Sequence, residues 1–442
     1  MSMTQRTRRA TLRTFQQLVA VLAYLLAATA PAATFTAKSP ADVPDSTPGD
    51  GICETATGNG VCTLRAAIME ADALAGADTI NLQANVTYLL TRVGSGNDNG
   101  DLNITDSVTI NGAGANSSII DGNGGVLGSG VFKISACRDA AICDVDHPAN
   151  IVTISGVGIR HGNSVTGGAI DSAAILTVDH CALTDNHALK YGGALYNNGT
   201  ALVSNSTVSG NTLDPAPGRG GGLYSYGTMY VRNSTISGNH AVNGGGIGTG
   251  SGTLNVINST VSGNFSDGDG GGIYSAGTTG LFNATVTQNQ ANADGVGSAV
   301  GGGVAQAFGT LSFTNSIIAY NELVVPMDPF PLLDLDDCSG TITSQGNDIV
   351  YYAGQFDCTI VGSVAKVDPL LDSLQDNGGP TRTHAILAAS PARDAGNTGG
   401  CTDDLGAPLA TDQRGVTRPN GAYCDIGAFE VTETVFRNGF QP

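Results

Sequence analysis

Four residues stand where an elimination on an acidic sugar could be run: Asp171, Asp185 and Lys190, with Arg160 one repeat below them. Carboxylates gathered on one face can hold Ca²⁺, and a neighbouring Lys or Arg can take the proton. The same side chains also suit a solvated polar face, which is the simpler reading. Hydrolysis would need a paired general acid and base. The acidic pairs Asp336-Asp337 and Asp403-Asp404 fall outside the regular repeat, and the nearest His-Gly stretch is Arg160 to Asn163. Asp179-His180-Cys181 suggests a nucleophile, but neighbours on a strand point to opposite faces, so His180 is not placed to activate Cys181. The 6 histidines have no metal-ligand spacing. No metal is expected, and Ca²⁺ is the one cofactor candidate. Tyr196, Tyr224 and Tyr274 follow Asp171 in the same repeat position, a stripe that could meet sugar rings or a partner surface. Stacking of coil on coil explains the stripe as well and is preferred.

What must position these residues is a repeat. Anchored on Asn163, Asn186, Asn211, Asn239, Asn264, Asn289 and Asn321, the units step by 23 to 32 residues. That period belongs to solenoids. Six residues before the anchors stand His180, Asn205, Asn233, Asn258, Asn283 and Asn315, followed by Cys181, Ser206, Ser234, Ser259, Ala284 and Ser316. Upstream, apolar residues alternate with period two, as in Leu254 and Val256 or Leu311 and Phe313, and a glycine cluster comes before each such run. Each unit reads as two or three short strands, too short for a hairpin meander. Winding them into a parallel β-helix pairs every backbone group with the next coil at ~4.8 Å and stacks the aliphatics inside.

In such a coil the slot Asn205, Asn233, Asn258, Asn283, Asn315 has a mechanical meaning. Asn tolerates the left-handed corner, and its amide can bond to the same amide one coil away. The sequons at Asn205, Asn233 and Asn258 are thus read as a ladder, and Cys181, in the Ser slot, as a small buried thiol. Roughly ten coils, ~50 Å of solenoid, are expected between 101 and 345. The inserts between anchor and glycine corner all leave along one edge, where solenoids place recognition loops.

Residues 1–32 read as a secretory leader, with Arg6, Arg8, Arg9 and Arg13 ahead of the apolar run from Leu18 to Ala28. Thr7 to Arg13 is similar to a twin-arginine signal, so either export route is open. No later segment approaches the ~20 apolar residues of a membrane span. The net charge is −19, and the leader holds four of the arginines and no acid, which argues against nucleic acid as a partner. In an exported chain the 9 cysteines suggest disulfides, paired as Cys53–Cys62, Cys137–Cys143, Cys338–Cys358 and Cys401–Cys424. The helix expected after Thr63, with Leu64, Ile68 and Ala71 on one face and Gly76 as its stop, would plug the first coil.

Asp50 to Leu82 resembles the CSLREA domain of exported bacterial proteins, its signature standing here as Cys62-Thr63-Leu64-Arg65-Ala66-Ala67, with Thr63 for Ser and Ala66 for Glu. Asp368 to Glu430 is similar to the choice-of-anchor Q domain of secreted and surface proteins. The middle resembles right-handed β-helix proteins of the pectin-lyase type, and Gly167 to Ile170 is similar to polymorphic outer-membrane-protein repeats. The resemblances imply an all-β, right-handed parallel β-helix with a helical N-terminal cap and a disulfide-rich C-terminal cap. The organisation expected is leader 1–32, cap 33–100, coils 101–345, C-terminal cap 346–430 and tail 431–442. The function expected is non-enzymatic binding of glycans or partner surfaces, of adhesin type, outside the cell or on its outer surface, with the periplasm as the alternative location. A polysaccharide lyase or hydrolase and a passive spacer are the alternatives.

Overall fold

The computed structural model describes residues 32–94, 96–124, 129–138, 149–214, 218–327, 332–352 and 358–432. Among these, short strands wind into a right-handed parallel β-helix of about nine turns. The turn that starts at Leu195 has four strands, Leu195–Asn197, Thr200–Ser204, Thr207–Ser209 and Thr212–Leu213. First and second strands of successive turns build one bent 20-stranded sheet, third strands a 10-stranded sheet and fourth strands an 8-stranded sheet. In the last turn the two halves of the bent sheet fuse in the seven-residue strand Cys338–Ser344.

Two expectations need correcting. Each unit has four strands rather than two or three. Four of the extra strands, Thr212–Leu213, His240–Ala241, Phe265–Ser266 and Gln290–Ala291, are only two residues long, and no alternation can be read over two residues. The anchor Asn163 is also out by one: it pairs with His187, and it is the Gly162 N–H that donates to Asn186 Oδ1, at 3.0 Å. Asn163 shares a residue type with the other anchors and not their register.

The inward residues form one continuous core, from Phe35 through Ile80, Leu254, Val256, Leu311 and Phe313 to Val350. Parallel pairing begins upstream of the repeats, where Thr34–Ala37 joins Asp78–Leu82 and that strand joins Val108–Asn111. The helix Leu64–Ala73 sits across this end. Thr63 caps it by accepting the Ala66 N–H at 3.0 Å, so threonine does there what serine would do. Leu64, Ile68 and Ala71 enter the core. The helix ends at Ala73, before Gly76, because Leu74 is already extended. Arg65, 1 % exposed, bonds Asp42 at 2.6 Å and the carbonyls of Asn97, Gly100 and Asp101, which ties the plug to the first turn.

The corner residues Asn205, Asn233, Asn258, Asn283 and Asn315 all have φ near +50°. Their amides bond along the axis from Asn233 to Asn205 at 3.4 Å, Asn258 to Asn233 at 2.8 Å and Asn315 to Asn283 at 2.8 Å, with a break at Asn283, whose amide donates to the Thr402 carbonyl. A second ladder, inside the wall, is formed by the anchors themselves. Asn186, Asn211, Asn239, Asn264, Asn289 and Asn321 are buried, and each of the first five donates both its backbone N–H and its amide to the carboxamide oxygen of the next, as Asn264 does to Asn289 at 3.0 and 2.8 Å. The second amide hydrogen goes to a carbonyl on the preceding turn, Ile236 for Asn264. Serines make a third ladder: the backbone N–H of Cys181, Ser206 and Ser234 donates to Ser206, Ser234 and Ser259 Oγ.

Residues from Asp368 onward fold back along the outside of the ten-stranded sheet. There Gln413, His384 and Arg418 bond Thr260, Ser262 and Asn258. Arg418 and Glu430 form an ion pair at 3.0 Å with both side chains at most 1 % exposed, and Arg414 pairs with Asp412 at 2.6 Å beneath the Phe429 ring. These ion pairs hold the module together. Disulfides link Cys53–Cys62, Cys338–Cys358 and Cys401–Cys424. Cys143 lies outside the described residues, and so does the pairing expected for it with Cys137.

Candidate functional site

The four residues considered for sugar elimination occupy different faces. Asp171 is in the strand Ile170–Ser172 of the bent sheet, where its carboxylate accepts from Thr166 Oγ1 at 2.7 Å and burial pushes its pKa up. Lys190 is exposed on the strand His187–Tyr191 of the eight-stranded sheet. Asp185 is exposed at the left-handed corner between the ten- and eight-stranded sheets, with φ +54°. Arg160 ends the strand Gly158–Arg160 of the ten-stranded sheet one turn below, in register with Thr184 and paired with Asp121 at 2.8 Å. No hydrogen bond or ion pair joins Asp171, Asp185 and Lys190 among the described residues. Nor do three or more His, Cys, Asp or Glu converge there as metal ligands.

The tyrosines do come together. Lys133, Asp171, Tyr196, Tyr224, Gly248, Tyr274 and Ala305 form a single column on the bent sheet. Gly248 and Ala305 stand one residue further from their anchors than the tyrosines do, because the turn between the first and second strands is one residue longer in those two coils. Tyr224 stacks on Tyr191 at 4.6 Å and on Tyr196 at 6.2 Å, and Tyr226 meets it edge-on at 5.2 Å. Both arrangements suit the quadrupole of an aromatic ring. Gly248 makes room for the stack, since a Cβ there would lie 2.8 Å from the Tyr224 ring. Arg219 lies over Tyr274 at 5.1 Å.

Exposure divides the cluster. Tyr224 is fully buried and Tyr274 is 6 % exposed, whereas Tyr226 is 36 % exposed and Tyr191 and Tyr196 are half-buried. Burial, and then Tyr226, push the Tyr224 hydroxyl above its ordinary pKa. The buried Tyr224 spends its faces on Tyr191 and Tyr196, and what the cluster leaves to solvent comes from the exposed Tyr226 and the half-buried Tyr191 and Tyr196. Tyr191, Tyr226 and Arg219 were not anticipated. Their one signal in the sequence is that they flank the glycine corners, where the repeat is least regular.

His180 and Cys181 point apart, as alternation requires. His180 is exposed and bonds Asp179 at 2.7 Å, while Cys181 is 2 % exposed with its thiol 3.2 Å from the Asp179 carbonyl. Burial pushes the thiol up to about 12, so almost no thiolate exists near neutrality. Iodoacetamide at pH 8 should therefore leave Cys181 unlabelled in the folded protein and label it fully in urea, as mass spectrometry would read; rapid labelling of the folded chain would contradict this environment.

Beside His180 a cleft of about 740 Å³ runs over the outer face of the ten-stranded sheet. Thr184, Thr207, Ser209 and Ser237 line its floor, Ala115 and Asn116 one end, and Pro380 and Arg382 the other.

No family model and no curated protein matches the chain, so the CSLREA and choice-of-anchor Q resemblances rest on their motifs. Among solved structures, the crystal structure of pectate lyase Pel9A is similar, at 14 % identity and a TM-score of 0.40, over 91 % of this chain and 97 % of that one.

Proposed function

We propose that this is an exported, surface-acting binding protein that takes glycans at the tyrosine cluster of the bent sheet without turning them over. The observation that carries the reading is the cluster itself. Tyr226 is exposed, Tyr191 and Tyr196 are half-buried, and all three pack against the buried Tyr224. A partly exposed aromatic ring offers a sugar its apolar face, and the hydroxyls around it offer hydrogen bonds. Fixing the rings in advance reduces the entropy lost on binding. Asp171 lies beside Tyr196 in the same column and adds an acceptor. Export is supported by the leader-like first 32 residues and by three disulfides.

Retention of the purified protein on immobilised neutral and acidic polysaccharides tests this. Tyr226→Ala or Tyr196→Ala should weaken retention by about tenfold, the loss of roughly 1.4 kcal/mol. Release of unsaturated uronates from polygalacturonate with Ca²⁺, abolished by Asp171→Asn, would replace the reading with the lyase alternative.

A further inference from the structure

The outer face of the ten-stranded sheet carries two columns of hydroxyls, Thr207, Thr235, Thr260 and Thr285 in one and Thr184, Ser209, Ser237, Ser262 and Thr287 in the other. The C-terminal module covers much of this face, and Thr235, Thr260, Ser262, Thr285 and Thr287 are at most 2 % exposed. What the hydroxyls meet there is polypeptide. Thr235 Oγ1 donates to the Arg382 carbonyl at 2.5 Å, and the Ala428 N–H donates to Thr285 Oγ1 at 3.1 Å. The carboxamide of Gln413 spans two turns, donating to Thr235 Oγ1 at 2.9 Å and accepting from Thr260 Oγ1 at 2.7 Å.

The columns do not stop where the module stops. Thr184, Thr207, Ser209 and Ser237 continue them, half-buried, on the floor of the cleft, and the module's own Pro380 and Arg382 form one end wall. No Asp or Glu lines the cleft, although the chain carries a net charge of −19, and its basic side chains are His180 and Arg382. Thr184 to Ser237 spans two turns, ~10 Å, about the length of three extended residues.

We infer that the cleft is the open continuation of the module's docking surface and takes a short, extended, neutral segment of a partner protein, which presents a Gln or Asn carboxamide and main-chain carbonyls to Thr207 and Ser209. The carboxamide does there what Gln413 does one turn on. This site is separate from the tyrosine cluster and does not depend on glycan binding.

An array of immobilised twelve-residue peptides tests it, each with a Thr-Gln-Thr, Thr-Asn-Thr or Thr-Ala-Thr core in Gly-Ser flanks, probed with the full oxidised chain. Gln and Asn cores should hold at least tenfold more protein than Ala cores. The double variant Thr207→Val, Ser209→Ala should lose that excess at an unchanged melting temperature, while Tyr226→Ala keeps it. Equal retention on all three cores, no retention on any, or full retention by the double variant would overturn the inference. So would displacement by soluble oligosaccharide that the Tyr226→Ala variant still shows, since the cleft would then hold sugar.

Discussion

Asn264→Ala should destabilise the solenoid by about 3–5 kcal/mol, among the largest effects of any single truncation in its wall, with Asn205→Gly costing about 1 kcal/mol or less. Both remove an asparagine from a ladder, and the difference lies in what each leaves behind. The Asn264 carboxamide accepts from Asn239 N–H and Nδ2 at 3.1 and 2.9 Å and donates to Asn289 Oδ1 and to the Ile236 carbonyl at 2.8 and 3.0 Å. All of these groups are buried, and alanine strands two donors and weakens the satisfaction of two acceptors where water does not reach. An unsatisfied buried polar group costs about 1–3 kcal/mol. Asn205 is half-buried, and its main service is to hold φ at +49°, which glycine does without strain. Its amide bonds to Asp179 at 2.9 Å are partly replaced by water. Urea midpoints of the two variants decide the matter: a midpoint for Asn264→Ala as close to wild type as that of Asn205→Gly would mean the inner ladder contributes little.

The contrast bears on what the repeat disclosed. The outer slot was legible because a left-handed corner restricts residue type, and Asn followed by Ser recurs there often enough to signal it. The anchors were legible as a spacing and not as a device. An asparagine facing inward between strands has the same letter as one at a corner, and only the register shows the first ranked amide on amide inside the wall and the second on the outside, half-buried at Asn205 and Asn233 and covered by the C-terminal module at Asn258, Asn283 and Asn315. For the same reason Asn163 passed as an anchor although its turn places Gly162 at the ladder position. The inward alternation at Leu254, Val256, Leu311 and Phe313 was readable because a strand has period two, whereas the two-residue strands of the eight-stranded sheet have no period to read.

The site residues fared differently. Asp171, Asp185 and Lys190 are close when counted along a coil, but a solenoid turns a corner between them, and each lies on a separate face or edge. The tyrosine column could be counted because it belongs to a strand. Tyr191 and Tyr226, which pack against it, stand outside that strand, Tyr191 at the end of His187–Tyr191 and Tyr226 in the turn after Leu223–Ser225. Least accessible to sequence was the docking of the C-terminal module on the solenoid's side. The contacts between Gln413 and Thr235, 178 residues apart, or between His384 and Ser262, 122 apart, leave no periodic trace. The outward Thr and Ser of the ten-stranded sheet are an interface over several turns, and the cleft is where that interface is left open.

The ladders also predict how stability depends on pH, because both inner ones end on a carboxylate. Asn321 donates its N–H and amide to Asp337 Oδ1 at 3.0 and 2.8 Å, and the Ser316 N–H donates to Asp348 Oδ1 at 2.9 Å. Burial pushes Asp337 up to about 7 and Asp348 up to about 7, against the hydrogen bonds that favour their ionised forms. Below about pH 4 the folded and unfolded chains both hold these protons. Between about pH 4 and 7 the unfolded chain has released them and the folded chain has not, so stability falls as pH rises, and above 7 the loss is complete. For Asp348, a rise of about three units corresponds to roughly 4 kcal/mol. Asp348→Asn isolates this contribution, because its oxygen still accepts from Ser316 N–H and its amide can donate to Ser344 Oγ, which itself donates to the Ser363 carbonyl at 2.8 Å. Relative to wild type the variant should gain a few kcal/mol in urea denaturation between pH 4.5 and pH 8, with little difference at the acid end. Curves that stay parallel across that range would show that Asp348 is ionised at little cost, its three donors fully offsetting its burial.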